Sequence, residues 1–330
     1  MTVVDSHFHW FPRTHMERMC ERSGYPRAVR DGSGYTYLYD GGKAAMSLPE
    51  IWFNLDAGLA AAEVSGPGTA VVCTAGVISG LLDQVAVAEA VDIALEYNEI
   101  MAATERSHPG RFYGTATVPL QDENSAIQVL DHAVKELGLH AVNLQSITNG
   151  ELVDAERLES YYARVEELGV PLIVHPTDLV YGESMSDYDG ALQLTIGRLL
   201  DSSMSVLRLI FSGVFERHPD LKVLQTHGGG LLPYQAGRID KNARIPGLPE
   251  LPSTYLKRVV VDTVCPQALT VATAVKFFGA DHVLYGTDYP CWDPRAALGT
   301  VDAAGLSPEE RVLITETNAS SFFNLEVARG

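Results

Sequence analysis

The sequence has few of the features that mark secreted, membrane-embedded or disulfide-rich proteins. Its four cysteines are far apart and form no CxxC pair: Cys20, Cys73, Cys265 and Cys291. Such spacing argues against a disulfide framework and against a thiolate zinc site. No segment stays apolar for about 18 residues, and the N-terminal MTVVDSHFHWFP lacks the basic start and long apolar stretch of a secretory leader. We therefore expect a cytoplasmic protein with reduced thiols and no membrane span.

Basic residues are scarce as well. Lys and Arg number 24 against 42 Asp and Glu, which gives a formal net charge of -18 at pH 7. Nucleic acids and anionic membrane surfaces repel a chain of this charge, so neither is expected as a partner. An anionic substrate is not excluded, because a few arginines and a metal ion can make a local pocket positive inside an acidic protein.

What the sequence does contain is a regular alternation of short β-branched runs with stretches of helical periodicity. The candidate strands are eight in number: residues 3–9, 70–73, 112–118, 141–144, 171–175, 222–227, 259–262 and 282–285. The helical pattern is clearest in residues 125–137 and 158–168, which stop at Gly138 and Gly169. This order predicts parallel strands joined by crossover helices, in a (β/α)8 barrel or in an open doubly wound sheet.

The positions of the polar residues favour the closed barrel. Metal-type or acid/base residues end strands one, five, six and eight: His7 and His9, His175, His227 and Asp288. Closure makes the C-terminal ends of the strands converge, whereas strands one and eight of an open sheet diverge. We therefore predict an α/β fold of the (β/α)8 (TIM) barrel type.

The length of the chain fits one such barrel. With 330 residues and 46% hydrophobic content, it can bury a large core, and we expect a single domain over residues 1–330. Residues 13–55 are expected to form an insertion after strand one, since residues 24–42 are rich in Gly and Tyr. This position suits a lid or an oligomer contact.

The HxH pair of His7 and His9 is the first candidate metal site. Residues two apart on a strand point to the same face, about 6.6 Å apart, so both rings can hold one ion. HxH alone is a weak signal, but here it ends an apolar strand that begins at Val3 and Val4. Asp5 is a candidate acceptor behind the histidines.

His175 and Asp288 complete the candidate ligand set. His175 precedes Pro176, which cannot continue a central ladder, so it lies at a strand end. Asp288 lies in YGTDYP, where Gly286 and Pro290 bracket a turn; alone, such an aspartate is more often a helix cap. Three imidazoles and one carboxylate suit one divalent ion, with Zn²⁺ the first choice and Mn²⁺, Co²⁺ or Fe²⁺ as alternatives.

His227, in LQTHGGG, is a candidate acid/base, because the three following glycines allow the backbone to approach a ligand closely. The alternative is a structural histidine that bonds to a loop carbonyl. Cys291 follows Asp288 by three residues and can line the same mouth, but no partner base is evident for it. Surface or helix positions are expected for the other histidines: His15, His108, His132, His140, His218 and His282.

With DSHFH, VHP, THGGG and GTDYP in this order, the sequence resembles the amidohydrolase superfamily. It is most similar to the amidohydrolase-2 branch with aminocarboxymuconate-semialdehyde decarboxylase and dihydroxybenzoate-type decarboxylases. The resemblance spans nearly the whole chain and includes FSGVFERHPDLKVLQTHGGG and NASSFFNL. Some members of the branch have Glu in place of the second histidine, so His9 favours the muconate-semialdehyde-like group.

The resemblance implies roles for particular residues. His7, His9, His175 and Asp288 are implied as metal ligands, and His227 as the acid/base beside them. Arg238, in the stretch after THGGG, is implied as a contact for a substrate carboxylate, made within its own subunit or across a homodimer interface. The alternative for Arg238 is an arginine on a helix surface.

Two reactions follow as hypotheses. The first is metal-dependent, non-oxidative decarboxylation of an unsaturated or phenolic/aromatic acid, in which the metal activates a water or a substrate oxygen and His227 or Asp288 transfers the proton. The second is metal-dependent hydrolysis or hydration of a lactone, amide or conjugated acid. A third, weaker hypothesis is that the protein is a non-catalytic relative. Both reactions take a small-molecule carboxylic acid or its derivative and need no organic cofactor. Residues 10–42 and 177–190 match no substrate pattern and are where substrate identity is expected to be encoded.

Overall fold

The structure is a computed structural model that describes residues 2–39, 44–75, 82–176, 185 and 188–326. Eight parallel strands form its centre: β1 Val4–Phe8, β5 Ala70–Cys73, β6 Phe112–Gly114, β7 Val142–Leu144, β10 Leu172–Val174, β11 Val223–Gln225, β12 Val260–Asp262 and β13 Val283–Leu284. The other strands are antiparallel: β2 Arg27–Asp31, β3 Gly34–Leu38, β4 Ala44–Pro49, β8 Ile147–Thr148 and β9 Glu151–Leu152. Each central strand falls within a run that the sequence predicted.

The central strands follow one another around a ring. One sheet has the order β1-β5-β6 and the other the order β13-β12-β11-β10-β7. Parallel bridges join their edges, between Ala116 and Val142 on one side and between Phe8 and Tyr289 on the other. The backbone N–H of Ser6 also donates to the Tyr285 carbonyl at 2.8 Å. The predicted (β/α)8 architecture is therefore confirmed.

Helices lie between the strands and pack outside them. Asp122 caps one helix by accepting from the Ser125 N–H, and Gly169 ends another in the left-handed conformation at φ 68°. The α-helices are Arg13–Glu21, Leu55–Ala62, Val87–Ser107, Glu123–Asp131, Glu159–Leu168, Arg198–Phe211, Val214–Arg217, Leu232–Asn242, Pro252–Leu256, Ala268–Phe278, Pro294–Asp302, Pro308–Val312 and Asn318–Phe322. Among the described residues, no helix is long and apolar enough to cross a membrane.

The barrel interior is filled at one end by apolar side chains. Seven of the eight central strands contribute there, for example with Val4, Ile173 and Leu224, and Ala141 does so from the position before β7. Phe323 from the last helical segment packs against them. Polar side chains occupy the C-terminal ends of the strands instead, and many of them are buried, including Thr74, Asn143, His175 and Asp262. The polar end is where a (β/α)8 enzyme carries its site.

The expected insertion after β1 consists of the helix Arg13–Glu21 and the antiparallel sheet β2-β3-β4. Its buried tyrosines Tyr35 and Tyr37 belong to the main hydrophobic cluster of the barrel. Residues 40–43 of this insertion lie outside the described residues. So do most of residues 177–190, the other segment in which substrate identity is expected to be encoded. A lid role for the insertion stays a prediction.

Candidate metal centre and active site

His7 and His9 bring two ring nitrogens together at the polar end of β1. Their Nε2 atoms are 3.2 Å apart, and the two residues are 0% and 3% exposed. The pairing of β1 with β5 is irregular between Asp5 and Phe8, so this end of the strand departs from simple alternation. Both imidazoles nevertheless reach one point, as the HxH spacing predicted.

The other ring nitrogen of each histidine faces an acceptor. His7 Nδ1 lies 2.8 Å from Asp262 Oδ2, and His9 Nδ1 lies 3.2 Å from the Thr74 carbonyl oxygen. The Asp262 carboxylate can only accept, which places a ring proton on His7 Nδ1. His9 Nδ1 also lies 2.9 Å from the Thr74 hydroxyl oxygen, so Thr74 holds this ring with two atoms. Both rings therefore turn their Nε2 atoms towards the shared point.

His175 and Asp288 close the cluster. His175 follows β10 and is 5% exposed, and its Nδ1 is buried without a hydrogen-bond partner in the described residues. Asp288 Oδ1 lies 3.0 Å from His9 Nε2 and 3.4 Å from His7 Nε2. Asp288 adopts a positive φ of 57°, which strains a non-glycine residue, and its N–H donates to the His7 carbonyl at 2.7 Å.

These four residues fit a divalent metal ion. One ligand atom from each of His7, His9, His175 and Asp288 lies within 4.8 Å of those of the other three. Imidazole nitrogens and a carboxylate at this spacing form a ligand set that a divalent ion such as Zn²⁺ prefers. Within the described parts of the chain, no other group of three or more His, Cys, Asp or Glu converges in this way. A His/Asp metal-binding site is therefore present.

Burial and contact set the charge states in this cluster. Burial alone would raise the pKa of Asp288, but the surrounding histidines, His7 foremost, hold it well below its usual value. Burial keeps the pKa of His175 well below its usual value and lowers that of His9. Burial opposes a charge on His7 as well, but Asp288 and Asp262 outweigh it and raise the pKa of His7. An ionised carboxylate beside mainly neutral imidazoles is the form in which ligands bind metal.

His227 lies beside the cluster. Its Nε2 is 3.6 Å from Asp288 Oδ2, and its ring centroid is 5.1 Å from that of His7. His227 has a positive φ of 60° at the start of the Gly-rich turn, and Thr226 Oγ1 lies 3.0 Å from its Nδ1. In this conformation, the His227 ring faces the Asp288 carboxylate from outside the four-residue set.

Sequence reasoning missed two partners of the cluster. Asp262 contacts the His7 ring and is fully buried, and Trp292 Nε1 donates to Asp288 Oδ2 at 3.1 Å. Asp5, the expected acceptor, instead accepts from Thr287 Oγ1 at 2.6 Å and from the His7 backbone N–H at 3.1 Å. The signal for Asp262 was available, because it is the last residue of a buried central strand. No pattern singled out Trp292.

The remaining candidates lie outside the four-residue set. Arg238 is exposed on the helix Leu232–Asn242, and the described residues include no hydrogen-bond or ion-pair partner for its guanidinium. Cys291 is exposed near Asp288. The other histidines stay away from the cluster: His140 pairs with Glu105 and His218 with Glu159, whereas His15 is buried in the insertion.

The ring of parallel strands and the His/Asp centre at its C-terminal end define a metal-dependent barrel enzyme. The amidohydrolase family model Amidohydro_2 matches residues 4–325. The chain therefore belongs to the amidohydrolase family, which confirms the resemblance inferred from its motifs.

Individual relatives are decarboxylases. The 2-amino-3-carboxymuconate-6-semialdehyde decarboxylase of Dictyostelium discoideum is 34% identical over 209 residues, which cover 61% of this chain and 57% of that protein. The gamma-resorcylate decarboxylase of Rhodococcus jostii is 31% identical over 261 residues, 72% of this chain and 78% of that protein. The crystal structure of a Polaromonas dihydroxybenzoic acid decarboxylase, with bound manganese and 2-nitroresorcinol, matches with a TM-score of 0.79 at 23% identity, over 99% of this chain and 98% of that chain.

Proposed function

We propose that this protein is a metal-dependent, non-oxidative decarboxylase of an unsaturated or phenolic/aromatic carboxylic acid. The observation that carries the proposal is the convergence of His7, His9, His175 and Asp288, with His227 just outside them. The decarboxylases among its relatives, at 34% and 31% identity, are more similar to this chain than a relative that is a hydratase, at 24%, which supports this reaction over hydration. We further propose a cytoplasmic homodimer.

His7, His9, His175 and Asp288 would hold one divalent ion. Zinc is our first choice because imidazole and carboxylate form a borderline set of ligands. Manganese is the main alternative, since the Polaromonas relative binds it. When bound, the ion supplies a Lewis acid that polarises a substrate oxygen and so withdraws electrons from the reacting carbon.

Side chains of the protein would transfer the proton that the reaction needs. Loss of CO₂ leaves the electron pair of the broken C–C bond on carbon, which must then take up a proton. His227 is the proposed donor, because its Nε2 lies 3.6 Å from Asp288 Oδ2 and outside the ligand set. Asp288 would exchange that proton with His227 and orient its ring.

Arg238 is the proposed contact for the substrate carboxylate. Its planar guanidinium can bind both carboxylate oxygens at once. Arg238 is exposed and has no partner among the described residues. In a dimer, it could therefore reach the active site of the other subunit. The homodimer is therefore part of the proposal.

A product assay tests the function. Metal-stripped and zinc- or manganese-loaded protein would be offered hydroxybenzoates, muconate-type acids, lactones and amides, with CO₂ and acid release followed separately. Metal-dependent CO₂ release from an acid is the expected result and names the substrate class. Metal-dependent acid release without CO₂ would make the protein a hydrolase instead.

A further inference from the structure

The three histidines of the cluster differ in what holds them from behind. His7 Nδ1 faces a carboxylate, His9 Nδ1 faces a backbone carbonyl, and His175 Nδ1 has no partner in the described chain. A carboxylate is the strongest of these acceptors, since hydrogen bonds to charged groups are about twice as strong as neutral ones. His7 is therefore the histidine whose orientation and tautomer are most firmly fixed.

The carboxylate behind His7 also holds the loop that carries His227. Asp262 Oδ1 accepts from the backbone N–H of Gly228 at 2.9 Å and from that of Val264 at 3.0 Å, while Oδ2 accepts from His7. Gly228 directly follows His227, and both adopt positive φ, 63° and 60°. One fully buried side chain thus connects a metal ligand with the strained turn of the acid/base.

We infer that Asp262 is a positioning residue that fixes the His7 tautomer for metal binding and, through Gly228, the placement of His227. The inference relies on the proposed metal site but not on the identity of the reaction. Asp262 touches neither the ion nor the substrate in this scheme; it acts through the two histidines. Second partners of ligand histidines commonly contribute 10- to 100-fold to metal affinity.

Two substitutions separate this role from that of a simple loop anchor. Asp262→Asn keeps Oδ1 for the Gly228 and Val264 N–H groups but turns an NH₂ towards the His7 Nδ1–H. The His7 proton must then move to Nε2, which removes the lone pair that binds metal. If the new amide rotates by 180°, its oxygen accepts from His7, but its NH₂ group then faces the two backbone N–H donors. Asp262→Ala removes the acceptor of the Gly228 and Val264 N–H groups, but it does not force the His7 proton onto either ring nitrogen.

The expected order of metal affinity is therefore wild type, then Asp262→Ala, then Asp262→Asn, with the Asn variant weaker than wild type by about 10- to 100-fold. A simple loop anchor predicts the reverse order, because Asn preserves the two backbone contacts and Ala removes them. Dissociation constants for Zn²⁺ and Mn²⁺, measured by competition with a chelator, distinguish the two.

Two further readouts complete the test. The ¹⁵N shifts of the His7 ring in metal-free protein, recorded at a pH high enough for the ring to be neutral, should show Nδ1–H in wild type and Nε2–H in Asp262→Asn. At saturating metal, kcat of Asp262→Ala should fall more than KM changes, since the His227 turn is released. The matched control is Glu159→Gln, an acid beside His218 outside the site, and it should bind metal as wild type does.

Wild-type metal affinity and an unchanged His7 tautomer in Asp262→Asn would overturn the inference, provided that the melting temperature shows a folded variant. Affinity and tautomer are measured without substrate. If no acid releases CO₂ but the affinity order holds, the proposed reaction fails and the role of Asp262 stands.

Discussion

Two parts of the molecule place histidine beside carboxylates, and they differ in how many histidines share one acid. In the outer cluster of Glu159, Glu166 and His218, each ring nitrogen faces an acid: His218 Nε2 is 3.1 Å from Glu159 Oε1, and Nδ1 is 3.3 Å from Glu166 Oε2. Arg217 also binds Glu159, with Nε 2.7 Å from Oε1. In the outer cluster, two carboxylates thus share one histidine, and an arginine binds one of them as well.

In the metal centre, several histidines share one acid. His7 and His9 turn their Nδ1 atoms towards Asp262 and Thr74, and the Nε2 atoms of both rings lie near Asp288 Oδ1. Histidine next to an acid is therefore not enough to indicate a metal site. What distinguishes the metal centre is that three histidines and one carboxylate each bring a ligand atom to one point.

The largest effect is expected from removing a ligand. His175→Ala should lose the metal and the activity together, by more than the 10- to 100-fold typical of an outer partner, because it removes one of the four converging ligand atoms. Metal content and turnover check this. In the outer cluster, His218→Ala should keep the metal, and a His175→Ala variant that also keeps it would break the comparison.

The next effect concerns the histidine beside the ligands. His227→Ala should keep one metal ion per chain and lose turnover by about 100- to 10,000-fold, which is the usual share of an acid/base group. Elemental analysis and kcat at saturating metal separate the two quantities. Metal loss equal to that of His175→Ala would instead make His227 a ligand.

The comparison extends to arginine. Arg217 is paired with Glu159, whereas Arg238 is exposed and has no partner among the described residues. Arg238→Gln should raise KM by about 10- to 100-fold and leave kcat nearly unchanged, the size of a lost hydrogen bond between charged groups. Arg244→Gln, another exposed arginine nearby, is the matched control. Equal kinetics in the two variants would make Arg238 a helix-surface residue.

Much of the fold and the cluster followed from the sequence because both depend on local patterns. Short β-branched runs define strands, and a histidine or aspartate at the end of a strand must lie at the converging mouth of a barrel. His175 and Asp288, 113 residues apart in sequence, could be combined on this argument alone.

The partners behind the ligands did not follow, because they depend on side-chain direction. Asp5 is two residues from His7 and looked like its acceptor, but its carboxylate accepts from Thr287 Oγ1 at 2.6 Å and not from the His7 ring. Asp262 is 255 residues from His7, and its inward direction depends on the face that β12 presents. Periodicity gives the faces of a strand but not which residue across the barrel each side chain meets.

The smallest effect is expected in the outer cluster. Glu159→Gln should leave the metal in place and lower the free energy of unfolding by at most about 1 kcal/mol at pH 7, because exposed ion pairs contribute little. The Arg217 hydrogen bond outweighs burial and lowers the pKa of Glu159 from its ordinary value of 4.5. The stabilisation is therefore present above pH 4.5 and is lost as the pH falls through the lowered pKa. Denaturant unfolding of both proteins at pH 7 and under acidic conditions should show the difference shrink with acid; a constant difference would mean that the carboxylate charge is not what stabilises this cluster.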